Sequence, residues 1–286
     1  MNRLSIAVRR NTLRCLKGRW GKGAAATLFL AGAGLMLILL EQLCLTSLSL
    51  VEEPTLGVPL LGVQISPVQA AVSAGFGCLI FLVLTPLRMG LRKWFYRLSV
   101  GPTPDLRMLF DYLSDFRLYA KSVLLQLAVL LRVAVCGALF SLPSLGILTA
   151  QRMLGSLGTS AAAAGQAALT LLFLVTALLA AVLTVCFGLR YYLAPYYFAE
   201  DETVSVHAAL KQSVQAMRKA KGQVFCMLCS WLPLWLSGFL LVPLIFVIPC
   251  CGCGIAISAR YLMGRNTHTE PADAVPDETI VFTPES

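Results

Sequence analysis

The chain has 286 residues, 58% hydrophobic and 13% charged, with a formal net charge of +9 and a mean hydropathy of +0.78. A soluble domain carries ~25% charged residues, so this composition excludes an ordinary water-soluble fold and marks an integral membrane protein. The basic residues border apolar stretches instead of forming a stripe, so no nucleic-acid partner is expected; they read as topology signals first and lipid contacts second.

Residues 1–22 form a basic cytoplasmic segment carrying Arg3, Arg9, Arg10, Arg14, Lys17, Arg19 and Lys22. The apolar run behind it is too long for a signal-peptide core and lacks a small-residue cleavage site at the right distance, so it is expected to stay as the first spanning helix. A hydrocarbon core of ~30 Å needs ~20 helical residues, which predicts spans over 24–45, 68–87, 123–145 and 167–189. The stretch 223–263 is about twice that length. It divides near Ser237, Gly238 and Phe239 into a fifth and a sixth helix, with Pro233, Pro243 and Pro249 interrupting the pattern. Residues 23–264 thus form the membrane domain, and 265–286, rich in Thr, Pro, Asp and Glu, read as a disordered acidic cytoplasmic tail.

Charge assigns the sides. Arg88, Arg92, Lys93, Arg97, Arg107, Arg117 and Lys121 follow span two; Arg190, Lys211, Arg218, Lys219 and Lys221 follow span four; Arg260 and Arg265 flank the end of span six. The opposite side receives Arg152. This one-sided pattern puts both termini in the cytoplasm and favours an even number of spans in the cell membrane. The outside holds a loop over 46–67 with Glu52 and Glu53, and a Gly-, Ser- and Ala-rich loop over about 146–166.

The two long cytoplasmic loops share a plan, an aromatic patch followed by an amphipathic helix. In the first, Trp94, Phe95 and Tyr96 precede Thr103 and Pro104, a cap followed by proline at the first helical position. Leu106, Leu109, Phe110 and Leu113 then form an apolar face. In the second, Tyr191, Tyr192, Pro195, Tyr196, Tyr197 and Phe198 precede Glu200, Asp201 and Glu202, with Ser205 as cap and Val206, Ala209, Leu210, Val214 and Met217 as the apolar face. The fold expected is an all-α polytopic bundle: about six transmembrane helices in three hairpins, with two interfacial amphipathic helices. Tyr191, Tyr192, Pro195, Tyr196 and Tyr197 are the candidate interfacial elements, since tyrosine favours the headgroup region.

Arg132 falls near the middle of span three, where a charge costs at least ~2.5 kcal/mol and must face protein or water. Glu41 in span one is its expected partner, although it sits nearer the outer side. Cys226 and Cys229, with Cys250, Cys251 and Cys253, have spacing that suits tetrahedral zinc. Their flanks are apolar and no His is near, so with Gly252, Gly254 and Ser258 they read as a small-residue packing face. His207 and His268 have no partner at catalytic spacing. No nucleotide, metalloprotease or serine-nucleophile motif occurs, so no catalytic residue, cofactor or metal is expected.

The block from 189 to 201, containing Tyr191, Tyr192, Pro195, Tyr196, Tyr197, Glu200 and Asp201, resembles the bacterial multi-pass membrane proteins of domain-of-unknown-function family 975. Ala209, Leu210 and Ser213 continue the likeness, as do Met217 to Gly222, Phe225, Trp231 and the pair Arg260 and Tyr261. The Met-Lys-Gly element is altered here, and the cysteine cluster is not part of that family's pattern. The resemblance implies a membrane fold and no particular reaction. The expected role is a non-enzymatic structural or regulatory protein that binds an anionic inner leaflet, partner helices or a second copy of itself. The alternative is a transporter or permease-like module for a small solute.

Overall fold

The computed structural model describes residues 3–48, 67–101, 104–155, 160–218, 220–237 and 241–267. These residues are all-α. In chain order they form α1 (Arg3–Leu16), α2 (Trp20–Ser47), α3 (Pro67–Val100), a 3-10 turn (Leu106–Phe110), α4 (Asp111–Ser114), α5 (Phe116–Gly155) and α6 (Ser160–Gly188). A second 3-10 turn (Leu189–Tyr191), α7 (Ala194–Glu200), α8 (Val206–Ala216), α9 (Lys221–Ser237) and α10 (Leu241–Thr267) complete it. The outer loop with Glu52 and Glu53, the cap residue Thr103, the division point at Gly238 and Phe239, and the tail from 268 lie outside the described residues.

Among the described residues five helices, α2, α3, α5, α6 and α10, are long and apolar enough to cross a bilayer, and the protein is a multi-pass membrane protein. α9 has 17 residues. At 1.5 Å per residue it reaches about 25 Å, short of the ~30 Å hydrocarbon core. α5 and α6 extend well beyond the apolar windows read from the sequence. α5 runs on to Gly155 and α6 begins at Ser160, so most of the loop expected over 146–166 is helix. Hydropathy sets where a span is apolar, whereas Leu148, Ala150 and Met153 keep good helix propensity past that limit.

The basic N-terminal segment is also ordered. Val8, Thr12 and Leu16 recur every four residues and are fully buried, while Arg9, Arg10 and Arg14 are exposed. This is an amphipathic helix. Gly18 (φ +74°) turns the chain from α1 into α2, a left-handed conformation that glycine adopts without a Cβ penalty.

The core gathers at the end of the molecule where α1 lies. Leu16, Trp94, Leu98, Leu193, Met217, Val224, Cys253 and Ala259 form one cluster. Beside it Met89, Tyr112, Leu125, Ala194, Phe198 and Leu210 form another. Gly90 lets α3 meet the backbone of Leu109 in the first 3-10 turn; a β-carbon there would overlap the Leu109 carbonyl.

Register fixes how α10 lies. α2 and α3 are antiparallel, with Gly34 beside Leu84. A β-carbon at Gly23 would stand 3.3 Å from Pro249, and one at Gly252 would meet the Phe95 ring at 2.6 Å. Farther along, Arg260 Nη1 donates to the Ser99 carbonyl at 2.7 Å. α10 therefore accompanies the halves of α2 and α3 that lie nearer α1. Leu241 lies about 12 Å before Pro249 along the helix, whereas Gly34 lies about 16 Å beyond Gly23, so α10 begins near the middle of α2. The same end of α3 is tied to α1 and the turn after it: Cys15 Sγ donates to the Leu98 carbonyl at 3.1 Å and Arg19 Nη1 to the Gly101 carbonyl at 3.1 Å.

Candidate functional site

The tyrosine block is the seam of this end of the molecule. Pro195 opens α7, where its missing N–H costs nothing. Pro195 and Tyr196 are buried, and Tyr191, Tyr192 and Tyr197 are half-buried. Tyr192 Oη pairs with Ser258 Oγ at 2.6 Å and donates to the Ile255 carbonyl at 3.3 Å, tying the block to α10. Ser213 Oγ donates to the Arg190 carbonyl at 2.8 Å and accepts from Leu193 N at 3.2 Å, tying it to α8. Tyr196 packs between Tyr96 and Tyr192, each ring centroid 6.3 Å away. Much of the block thus lies inside the protein and joins three helices.

α8 begins at Ser205, whose hydroxyl accepts from Ala208 N. It buries Ala209, Leu210 and Ser213, with Met217 just beyond its end, and exposes Lys211 and Gln215. The corresponding segment of the first loop differs. It is a 3-10 turn plus a single α-turn, in which Leu109 and Tyr112 are buried while Leu106, Phe110 and Leu113 are exposed. Leu109 is held by its close approach to Gly90 of α3 and Tyr112 by the cluster with Phe198, so packing against neighbours sets the buried pair in place of the face expected from α-helical spacing.

Lys93 is buried, and its ammonium lies 2.6 Å from Asp111 Oδ2 and 2.7 Å from Glu202 Oε1. Lys121 Nζ donates to the Glu202 carbonyl at 2.9 Å. The charge is compensated by two carboxylates, the condition for holding it away from water, and the contacts bind α3, α4, α5 and the turn after α7. Asp201, beside Glu202, accepts from Thr203 N at 2.8 Å and Thr203 Oγ1 at 2.7 Å. Those bonds hold its carboxyl below the usual range. The Tyr112 hydroxyl is buried with no hydrogen-bond partner, and burial pushes its ionisation above the ordinary range.

Arg132 is exposed, with its guanidinium over the Tyr191 ring at 5.7 Å. It lines a shallow groove against α8 with His207, Lys211 and Gln215. Both ion pairs among the described residues belong to Lys93; the structure brings Arg132 to Tyr191 and α8, and does not bring it to Glu41. The ten cysteines form no disulfide. Cys251 and Cys253 are buried, and Gly254 faces Trp231 so closely that a β-carbon would overlap the indole. Among the described residues no group of three or more His, Cys, Asp or Glu is placed to hold a metal ion.

One site lies outside the residues picked from the sequence. A cleft of about 420 Å³, open on one side, is formed by α2, α3, α5, α10 and the tyrosine block. Arg92 is the one charged residue lining it, and its hydrogen bond among the described residues goes to Met89 Sδ at 3.9 Å. The sequence signal was present: Arg92 follows Leu91 and precedes Phe95 by three positions, which puts it on an apolar face. Its place in a run of basic residues made it read as a topology charge.

No family model, curated protein or solved structure matches the chain. The resemblance to family 975 expected from the tyrosine block is therefore not confirmed by a family match.

Proposed function

We propose that this protein is a non-catalytic structural or regulatory component of the cell membrane whose basic end binds the anionic inner leaflet. The observation that carries the reading is the contrast at α1: its buried Val8, Thr12 and Leu16 fix it to the core while Arg9, Arg10 and Arg14 face outward. A folded basic face at the membrane boundary attracts anionic headgroups at ~1 kcal/mol per cation. In this reading α2, α3, α5 and α6 cross the bilayer and both termini are cytoplasmic. α9 and α10 form a re-entrant hairpin at the inner end, not the third crossing of a six-span arrangement. The register of α10 beside the inner halves of α2 and α3 supports this, and such a segment is tolerated at depth when protein covers it. Partner helices or a second copy are expected against the exposed apolar faces.

Two measurements test it. In a cysteine-free background, Arg152→Cys is expected to react with a membrane-impermeant maleimide added outside, and Ser237→Cys is not. Outside labelling of Ser237→Cys would restore the six-span arrangement. Purified protein is expected to be stabilised by phosphatidylglycerol more than by phosphatidylcholine, and replacing Arg9, Arg10 and Arg14 with Gln is expected to reduce the difference. Equal stabilisation of the native protein by the two lipids would end the lipid-binding reading.

A further inference from the structure

We propose that the cleft around Arg92 binds the phosphate group of one anionic phospholipid, held in place as its acyl chains run outward along α2 and α5. The inference rests on the reading above that this end faces the inner leaflet, and adds to it a single built site. Three features carry it. First, the cleft holds a positive charge with no carboxylate in its lining. The buried cation nearby, Lys93, has two carboxylates, whereas Arg92 has a sulfur contact, so five N–H donors lack a strong acceptor. Second, three further polar groups in the lining can donate to the same partner: the Tyr191 and Tyr196 hydroxyls and the Gln126 amide form no hydrogen bond among the described residues, whereas Thr27 and Tyr192 are already paired within the protein. Arginine is suited to grip phosphate oxygens in pairs.

Third, the surroundings select an amphiphile over a free ion. The lining is mainly apolar, and the helices on either side expose Leu28 and Leu35 from α2 and Leu130 and Leu131 from α5. Acyl chains are matched to that surface; water-soluble phosphate esters are not. Arg92 also follows directly on the apolar stretch of α3, at the depth where a headgroup phosphate would sit.

The test uses full-length protein extracted from nanodiscs of phosphatidylglycerol and phosphatidylcholine, with bound lipid counted by native mass spectrometry. The native protein is expected to retain one phosphatidylglycerol. Arg92→Gln is expected to weaken retention at least tenfold with an unchanged melting temperature. Tyr196→Phe, which removes a hydroxyl that holds nothing in the fold, is expected to weaken it about threefold. Substitution of Arg9, Arg10 and Arg14 is expected to leave the single retained lipid in place. If native protein prefers phosphatidylglycerol but Arg92→Gln and Tyr196→Phe retain it equally well, the cleft is not the site, while the broader reading stands. No preference in the native protein overturns both. Equal protection by glycerol 3-phosphate or inorganic phosphate would show that the occupant is a soluble phosphate, and the lipid assignment would fall.

Discussion

The pair α5 and α6 and the helix α10 are all apolar enough to cross a bilayer and are opposite in fate. In the most apolar stretches of α5 and α6, 6% of residues are buried in the protein; in α10 the figure is 56%. α5 and α6 pack chiefly on each other and expose Leu130, Leu139, Leu171 and Leu178. α10 instead carries Gly252, Cys253, Gly254 and Ala256, small enough for Phe95 and Trp231 to pack against its backbone. Hydropathy reports that a segment avoids water. Side-chain size then decides whether the replacement for water is lipid or protein, because close helix packing needs small residues.

This comparison can be broken by paired substitutions read out as thermal stability in detergent or nanodiscs. The largest difference is expected between Leu193→Ala, at a fully buried position, and Leu178→Ala, at an exposed one. The first should cost roughly 4 kcal/mol and the second less than about 0.5 kcal/mol. Next, Gly254→Leu drives a side chain into Trp231 and should cost roughly 3 kcal/mol. Gly146→Leu on α5 meets no atom within 4 Å and should be close to neutral. Lys93→Ala leaves Asp111 and Glu202 without their cation; both carboxylates are about a third exposed, so roughly 2 kcal/mol is expected. The smallest effect at neutral pH belongs to Tyr112→Phe, which removes a buried hydroxyl without a partner and should change stability by less than about 1 kcal/mol. That variant has a signature at high pH. Burial keeps Tyr112 neutral in the folded state above its ordinary pKa of ~10. The native protein therefore loses stability as pH rises above that value, while the unfolded chain ionises, and Tyr112→Phe should lose it less steeply.

The sequence displays the membrane class, the apolar middles of the long helices and the cap at Ser205, because each follows from local composition or short-range hydrogen bonding. It also shows the small-residue character of α10. The surroundings of Arg132 were hidden: its guanidinium lies over the Tyr191 ring and lines a groove against α8, and no local pattern links these residues. The role of Lys93 was equally hidden, since its partners are 18 and 109 residues away and no periodicity links them. α1 was readable in principle: Val8, Thr12 and Leu16 form a stripe, but seven basic residues over 1–22 drew attention to charge.

The contact between α1 and α9 has a consequence for biosynthesis. Arg9 Nη2 donates to the Ser230 carbonyl at 3.0 Å across 221 residues of chain. α1 is therefore made well before this partner, and its contact with α9 forms only after α9 has followed it out of the ribosome. Leu16 shares a cluster with Trp94 and Leu98 of α3, but Val8 packs with Met227, Trp231, Val247 and Cys251, so the first turns of α1 stay uncovered until α9 and α10 follow. Nascent chains arrested before α9 should leave the first turns of α1 open to protease and chaperone, and release of α9 and α10 should close them, making completion of the inner end the closing event of folding.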